Sequence, residues 1–499
     1  MINPRLIAVL SGMLFVTACS SGLLGGSDDS GDNGHSNQDP AIKLGDLFGQ
    51  SSGGGGQAAA HQGSNDNGGL GLTLGDLLGY SAGSGQALVV GDEPFAVRVG
   101  ASVLSEGGNA ADAASAMYLA LAVTYPASAS LGAGGICVVH DPNSGKNASI
   151  DFLVHDPADH GAFGVPGAVA GIARMQHEYG NLPWQRVVSP AQALAAAGFP
   201  ISQALDARLQ AAQNTIRLDA DLAHEFLDES GNVKPAGTVV SNQGLASTLN
   251  LIREQGDAGF YRGAVAQKIA DYSAQQGGGP GTAELGAYRS NEEAAQSIVI
   301  GQGDIYLPSA DVGAGSFAAK LYPQLLDEDG HPVGNLNSAV KRALANTLSD
   351  FGVANVPPDL GSTGFATTDN AGQAVACAVT MNGPFGSGHT VEGTGITLAN
   401  APSKADAGIA SAFLSPAVAT PPDGTVALAG AGAGGPTGTA AMAYALMKLA
   451  NGDDVTKPSD LRSVATAPYD TVNVITCDNG SCAVLPDPNG HGLGALARQ

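Results

Sequence analysis

The chain has 499 residues, of which 13% are charged, and its 45 acidic and 21 basic side chains give a formal net charge of -24 at pH 7. This length allows one large domain or two medium ones with an ample core. The acidic balance argues against a nucleic-acid partner and against polybasic attachment to anionic lipid, because both need clustered lysine and arginine.

The first predicted element is an export signal at residues 1–19. It contains one positive charge, Arg5, and then an apolar run that ends in VTAC at Cys19. A run this short is typical of a signal peptide rather than a membrane span. Small residues before a cysteine resemble a bacterial lipoprotein signal. They predict lipidation of Cys19 and an anchor on the periplasmic side of the envelope, at the outer rather than the inner membrane. The alternative is an ordinary secretory signal.

Residues 20–86 are rich in Gly, Ser, Asp and Asn and contain few aromatic residues. Such a segment buries too little apolar surface to order itself, so it is predicted to be a disordered tether. Within it, IKLGDLFGQS (42–51) recurs as LTLGDLLGYS (72–81). The repeated LGDL motif is either a duplicated piece of spacer or a docking motif that presents itself twice to a partner.

From residue 87 onwards, strand-like runs such as GICVVHD alternate with alanine-rich helical runs such as NAADAASAMYLALAV. Strands and helices mix to the end of the chain, which indicates an α/β or α+β fold. A helical run then leads into VANVPPDLG, in which two prolines disfavour further helix. Residues 355–361 are therefore predicted to form an exposed loop, where a chain can be cut.

The runs STGFATTD (362–369) and AVACAVTMNG (374–383) flank an Asn-Ala-Gly turn and predict a β-hairpin. Alternate side chains of a strand share a face. If Ser362 faces Thr380 and Asn382, a nucleophile, a supporting hydroxyl and an amide converge. No His, Lys or carboxylate lies beside Ser362 to act as its base.

Cleavage between Gly361 and Ser362 would supply that base. Ser362 would become an N-terminus, and its α-amine, with a pKa of about 8, can accept the hydroxyl proton directly or through water. One residue is then both nucleophile and base. The alternative interpretation of this stretch is a plain turn before a strand.

Five stretches in order resemble the γ-glutamyltranspeptidase family. They are GGNAADAA with the glycine-rich segment after it (within 103–141), GVPGAVAG with HEYGNLPW (164–184), GFYRG (259–263), the hairpin above, and GAGAGGPTG (430–438). The resemblance implies an α+β fold, a four-layer αββα sandwich of the N-terminal nucleophile hydrolase type. It also implies a precursor that cleaves itself into a large subunit (87–361) and a small subunit (362–499), which remain together as a heterodimer.

The resemblance also implies site residues and an activity. Two consecutive glycines allow a backbone to approach a bound carbonyl, as an oxyanion site requires. The implied enzyme hydrolyses or transfers γ-glutamyl groups of small amides such as glutathione through an acyl-enzyme, without a cofactor or metal. The implied residues are Ser362 as nucleophile, with Thr363 in that role if cleavage falls one bond later, Thr380 as its support, Asn382 at the substrate, and Gly434 and Gly435 at the oxyanion.

Three departures concern specificity. Leu153 in DFLV stands where the family has the arginine that binds the glutamyl carboxylate, and Ala401 and Lys404 stand where it has the Gln and Asp that bind the amino group. A glutamyl end would therefore lose charge partners worth several kcal/mol each. Two alternatives stay open: an acylase for a different amide, and a non-catalytic relative that acts as an envelope binding protein.

The remaining cysteines lie in strand-like runs. Cys477 and Cys482 flank an Asn-Gly turn, which predicts a disulfide at a hairpin end in an exported protein. Cys137 and Cys377 lie in apolar runs and are predicted to be buried free thiols. No spacing typical of metal ligands occurs in the sequence.

Overall fold

The computed structural model describes residues 86–300, 303–461, 468–478, 480–488 and 490–497. The predicted signal with Cys19 and the repeated LGDL motif lie outside these residues, as does the predicted tether up to residue 85.

The strands, in chain order, are β1 Leu88–Gly91, β2 Gly134–Asp141, β3 Lys146–Asp151, β4 Phe199–Pro200, β5 Val239–Val240, β6 Asn291–Ala294, β7 Gln296–Ile300, β8 Gly303–Leu307, β9 Ser362–Thr368, β10 Ala374–Thr380, β11 Thr390–Val391, β12 Ile396–Thr397, β13 Ser415–Thr420, β14 Leu428–Ala433, β15 Thr471–Asp478, β16 Ser481–Leu485 and β17 Leu493–Leu496.

Two large antiparallel sheets contain most of these strands. The first has the order β17-β1-β9-β10-β2-β3-β6, and the second has the order β16-β15-β14-β13-β8-β7. Strands β6 and β7 are separated by a single residue, so the chain passes there from one sheet to the other. The predicted hairpin is confirmed: β9 pairs with β10 around the Asn-Ala-Gly turn.

The α-helices, in chain order, are α1 Pro94–Ser105, α2 Ala110–Thr124, α3 Ala168–Tyr179, α4 Trp184–Ala197, α5 Gln203–Ala211, α6 Gln213–Ile216, α7 Ala220–Phe226, α8 Gln243–Gln255, α9 Ala258–Tyr261, α10 Gly263–Gln275, α11 Thr282–Ala287, α12 Gly313–Leu321, α13 Leu336–Asp350 and α14 Pro436–Ala450. Short 3-10 helices span Tyr322–Leu325, Ala405–Phe413 and Pro458–Leu461. Among the described residues, no helix has the length and apolar character needed to cross a membrane.

The helices form two outer layers. Helices α1 to α4 pack in one apolar core with the outer face of the first sheet. Helices α12, α13 and α14 form a second core with the outer face of the second sheet. The alanine-rich α2 is buried along its whole length, and a capping box of Asn109 and Asp112 satisfies its first N–H groups. These layers match the predicted αββα sandwich.

Small side chains separate the two sheets. A β-carbon on Gly364 of β9 would lie 2.9 Å from the β-carbon of Ala431 in β14. Two residues further along β9, Ala366 shares an apolar cluster with Ala429 of β14. The two strands therefore cross the interface in opposite directions, and Ser362 lies at the level of Ala433.

Disulfides join all four cysteines that the structure describes. The predicted bridge between Cys477 and Cys482 lies across the β15–β16 hairpin. The prediction that Cys137 and Cys377 are free thiols is wrong: they form a disulfide between β2 and β10. The two residues stand directly opposite each other in the pairing of these strands, which are distant in sequence, so the local pattern gave no sign of the bond.

Candidate active site

Ser362 is the first residue of β9 and lies in a cross-strand row with Thr380 of β10 and Gly134 of β2. Directly opposite residues of antiparallel strands are close enough for their side chains to interact. The Ser362 hydroxyl donates to Thr380 Oγ1 at 2.9 Å. Both side chains are buried, with 2% and 1% of their surfaces exposed. The structure therefore brings together the two hydroxyls that the sequence assigns to nucleophile and support.

The Thr380 hydroxyl is held by the backbone just before the predicted cleavage position and by the backbone just after β10. It accepts the N–H of Asn382 at 2.9 Å and donates to the carbonyl oxygen of Leu360 at 3.2 Å. A hydroxyl has one proton and two lone pairs. The Ser362 proton and the Asn382 N–H use its two lone pairs. Its single proton is shared between the carbonyl oxygens of Leu360 at 3.2 Å and Gly361 at 3.4 Å.

Asn382 departs from the predicted geometry. Strand β10 ends at Thr380, and Asn382 adopts a left-handed backbone with φ of 56°. Its side-chain amide donates to the carbonyl of Asn400 at 3.0 Å, and the Asn400 amide donates back to the Asn382 carbonyl at 2.9 Å. Strand alternation therefore does not extend to Asn382, and its placement at the substrate stays a prediction. Asn382 supports Thr380 through its backbone.

Thr363 points away from Ser362, as alternation along β9 requires. Its hydroxyl donates to Asp92 Oδ2 at 2.6 Å, and Asn473 donates to the other Asp92 oxygen at 2.8 Å. Burial raises the pKa of Asp92, and the hydrogen bonds from Asn473 and Thr363 oppose that shift. Thr363 thus belongs to a buried structural network, whereas the Ser362 hydroxyl is directed at Thr380.

The peptide between Gly361 and Ser362 is held in an unusual conformation. Gly361 has a φ of 60°, and a β-carbon there would lie 1.9 Å from the carbonyl oxygen of Gly383, so only glycine fits. The Gly361 carbonyl accepts the N–H of Met381 at 2.9 Å and lies 3.4 Å from Thr380 Oγ1. Two donors therefore polarise the carbonyl of the bond that the sequence predicts to be cleaved.

The segment before Ser362 is less exposed than predicted. Ala354, Asn355 and Pro358 are exposed, but Leu360 and Gly361 are buried. Leu360 accepts a hydrogen bond from Gly383 N–H at 3.0 Å as well as the one from Thr380. The prediction of an exposed loop up to residue 361 is therefore wrong at its end, because backbone contacts after β10 draw the last two residues inward.

A buried arginine also holds this segment. Asp359 accepts the N–H of Gly361 at 2.8 Å and a hydrogen bond from Arg208 of α5 at 2.9 Å, both through Oδ1. Arg208 also donates to the Ser128 hydroxyl at 2.8 Å. This ion pair joins the helical layer to the residues immediately before the predicted cleavage position.

Gly434 and Gly435 connect β14 to α14. Gly434 has a φ of 94°, and a β-carbon there would lie 2.2 Å from the carbonyl oxygen of Tyr469. Asp470 Oδ2 accepts the N–H groups of Thr437 at 2.9 Å and Gly438 at 3.1 Å, so it caps the first turn of α14. Because Ser362 lies at the level of Ala433, the glycine pair stands at the same end of the sheets as the hydroxyl pair.

The three positions that depart from the family pattern also have definite places. Leu153 packs against an apolar cluster between the sheets, and Gly134 is crossed by the backbone of residues 152–154, which leaves no room for a β-carbon. Ala401 is fully buried, and Lys404 is exposed and donates to the His160 carbonyl at 2.7 Å. The members of the apolar cluster are Ile136, Val312, Ala314, Ala378, Leu414, Ala431 and Ala433.

A cavity of about 880 Å³ lies at the other end of the sandwich. Its lining includes Thr368 at the end of β9, Thr420 at the end of β13 and the Cys477–Cys482 bridge. Ser362 and Thr368 are the two ends of β9 and are about 20 Å apart by the rise of a strand. This cavity is therefore remote from the hydroxyl pair.

Sequence reasoning missed four groups of this site: the Met381 N–H, Asp92, Arg208 and Asp470. An acidic residue directly after a strand or before one, as in VVGDE and PYDTV, is a weak signal for Asp92 and Asp470. The Met381 N–H carries no side-chain signal, and Arg208 lies in an ordinary amphipathic helix, so neither had a signal in the sequence.

Comparison with known proteins agrees with this architecture. The Gamma-glutamyltranspeptidase family profile matches residues 96–328. The chain is 32% identical over 228 residues to the glutathione hydrolase proenzyme of Escherichia coli (strain K12), across 42% of this chain and 39% of that protein. It is 30% identical to glutathione hydrolase 2 of Arabidopsis thaliana, across 56% of this chain and 53% of that protein. The aligned region thus spans about half of these relatives' length or less.

Among solved structures, cephalosporin acylase from Bacillus halodurans is similar with a TM-score of 0.64 and 19% identity, over 83% of this chain and 96% of that one. At this identity the likeness concerns the fold alone. The chain is thus similar to the γ-glutamyltranspeptidase family over residues 96–328, and it has the fold of the N-terminal nucleophile hydrolases.

Proposed function

We propose that the chain is the precursor of an amidohydrolase that cleaves itself between Gly361 and Ser362 and then uses Ser362 as its nucleophile. One observation carries the proposal. The buried Ser362 hydroxyl donates to Thr380, while the Gly361 carbonyl next to it accepts the Met381 N–H at 2.9 Å. A nucleophile and a polarised carbonyl thus meet at the one peptide bond whose cleavage creates the missing base.

Self-cleavage follows from these contacts. Ser362 Oγ attacks the Gly361 carbonyl carbon, and the hydroxyl proton passes to the departing Ser362 nitrogen. The Met381 N–H and Thr380 hydroxyl stabilise the charge that develops on the carbonyl oxygen. The C–N bond breaks and leaves an ester on Oγ. Water hydrolyses the ester to a Gly361 carboxylate, and Ser362 is left with a free hydroxyl and a free α-amine.

The processed site then acts on external amides. The Ser362 α-amine accepts the hydroxyl proton as Oγ attacks the substrate carbonyl. In this proposal the N–H groups of Gly434 and Gly435 receive the oxyanion, since they stand at the same end of the sheets. The amine leaves with the proton and an acyl-enzyme remains. Water completes hydrolysis, and an acceptor amine completes transfer.

γ-Glutamyl amides are the first substrates to consider, because the relatives described above are glutathione hydrolases. A second candidate is an acylase for a different acyl group. It is favoured by the apolar surroundings of Leu153, which offer a glutamyl carboxylate no partner at that position.

Purified wild-type protein and a Ser362→Ala variant test the proposal against glutathione and a panel of acyl p-nitroanilides. The wild type is expected to be cleaved in two and to release amine from at least one amide, and the variant is expected to do neither. A wild-type chain that stays whole and inactive on the whole panel would favour the non-catalytic envelope binding protein.

The two disulfides support export to an oxidising compartment, where such bonds form and persist. Lipidation of Cys19 and an outer-membrane location remain predictions. Labelling of wild-type protein, but not of a Cys19→Ser variant, with a radioactive fatty acid would test them.

A further inference from the structure

Arg208 is a buried guanidinium with an unused donor. Only 5% of its side chain is exposed, and it lies 5.0 Å from the ring centre of Tyr469 and 5.9 Å from that of Tyr125. Its Nη2 makes the bonds to Asp359 and Ser128, whereas its Nε is buried and has no hydrogen-bond partner among the residues that the structure describes. A buried guanidinium binds carboxylates well because its planar fork matches their geometry.

The carboxylate now bound to Arg208 belongs to the segment that cleavage releases from Ser362. Asp359 Oδ1 contacts both Arg208 and the Gly361 N–H, so this carboxylate lies close to the scissile carbonyl. In self-cleavage the residues up to Gly361 are the acyl group that passes to Ser362 Oγ. The precursor therefore holds an acyl group that has a carboxylate near its reacting carbonyl, and this carboxylate is bound to Arg208.

A substrate must bring its carbonyl to the same Ser362 hydroxyl, so its acyl group takes the place of residues 359–361. When Asp359 leaves, Arg208 would be a buried charge without a partner, which is strongly unfavourable. A carboxylate on the incoming acyl group restores the pair. Leu153 stands where the family resemblance places an arginine, and its apolar neighbours offer a substrate carboxylate no charge partner there.

We propose that Arg208 is the carboxylate-binding residue of the processed enzyme, which selects amides whose acyl group carries a carboxylate near the scissile carbonyl. This inference rests on the proposed amidohydrolase function. It goes further in naming the substrate class as half-amides of dicarboxylic acids. An α-ammonium group on the acyl chain is not required, since Ala401 and Lys404 stand where the family resemblance places its partners.

The test compares glutaryl, butyryl and γ-glutamyl p-nitroanilide, because glutaryl and butyryl differ mainly in the terminal carboxylate. For the processed wild type, kcat/KM for the glutaryl substrate is expected to exceed that for the butyryl substrate by about 100-fold, mainly through a lower KM. Glutarate is expected to inhibit competitively at much lower concentration than butyrate.

Variants assign the preference to Arg208. In Arg208→Gln the glutaryl-to-butyryl ratio is expected to fall towards one, and Arg208→Lys is expected to restore part of it. If Arg208→Gln fails to fold, Arg208→Gln with Asp359→Asn replaces the ion pair by neutral amides and is expected to show the same loss. Arg217→Gln is the matched control, since Arg217 is exposed and its side chain donates to the Gly231 carbonyl; it is expected to keep the ratio.

The outcomes separate this inference from the function on which it rests. A processed wild type that hydrolyses butyryl and glutaryl substrates equally well, and is inhibited equally by the two acids, overturns the inference alone. A ratio that Arg208→Gln leaves unchanged overturns it too. A chain that is never cleaved and hydrolyses no amide instead overturns the proposed function.

Discussion

The two ends of strand β9 differ in how far the sandwich is open to solvent. At the Thr368 end the sandwich opens into a cavity of about 880 Å³ with acidic side chains, among them Asp369 and Asp423, in its lining. At the Ser362 end the hydroxyls are buried and backbone from residues 360 and 361 lies against them. The proposed chemistry therefore does not lie at this cavity.

The difference follows from the maturation that we propose. Before cleavage, the scissile peptide must occupy the space in which a substrate will later react, so the precursor's site is filled by its own chain. In such a precursor the hydrogen bonds around the scissile peptide mark the site better than open cavities do.

Ser362→Ala is expected to have the largest effect, because it removes the only hydroxyl directed at Thr380 in β9. The chain should stay whole and give no fragments on a reducing gel. Thr368→Val is the matched control at the other end of the same strand, where the hydroxyl donates to the Gln86 carbonyl. It should be cleaved at the wild-type rate, and loss of cleavage in this control would contradict the assignment to the Ser362 end.

The two disulfides are expected to give the next largest effect, which is on whether the cleaved fragments separate on a denaturing gel. Cys137–Cys377 spans 240 residues and joins the predicted large subunit to the small one, whereas Cys477–Cys482 spans 5 residues at the cavity end. Cleaved wild type should therefore run as one band without reductant and as two with it. Replacing both Cys137 and Cys377 by Ser should give two bands in either case.

The same two bridges should also differ in their effect on stability. In the uncleaved chain, loop entropy predicts a loss of about 5 kcal/mol for the long bridge and about 2 kcal/mol for the short one. Denaturant unfolding of the two double-Ser variants, each also carrying Ser362→Ala, measures this difference. Equal losses would show that strand pairing, and not loop closure, determines the stabilisation.

Gly361, just before β9, and Gly372, in the β9–β10 turn, allow the effect of close packing to be distinguished from that of backbone strain. Gly361 and Gly372 both have positive φ, but a β-carbon at Gly372 would come no closer than 3.7 Å to another atom. Gly372→Ala should cost about 1 kcal/mol, measured by denaturant unfolding. Gly361→Ala should cost several times more and slow cleavage strongly. Similar values would show that the contact with Gly383 relaxes easily.

Thr380→Val should slow self-cleavage by about 100-fold, since it removes the group that orients Ser362 and one donor to the Gly361 carbonyl. Fragment formation over time in freshly refolded protein provides the rate. Thr368→Val serves again as the comparison. A rate within a factor of a few of the wild type would mean that the Met381 N–H suffices.

The local sequence pattern predicted most of the secondary structure that positions this site. Alternation and turn residues located the β9–β10 hairpin and placed Ser362 opposite Thr380, since both depend on neighbours in sequence. The predicted strand alternation does not reach Asn382, because β10 ends two residues earlier, and the predicted exposure of Leu360 is wrong, because its burial depends on backbone contacts with the segment after β10. The Cys137–Cys377 bond and the bond from Arg208 to Asp359 join residues more than 150 positions apart, so no local pattern reveals them.

N-terminal sequencing of the smaller fragment determines directly which bond is cut. Purified wild-type protein, after reduction, is expected to give a fragment beginning Ser-Thr-Gly-Phe-Ala, with Ser362 first. A fragment beginning at Thr363, or a chain that stays whole after prolonged incubation, would contradict it.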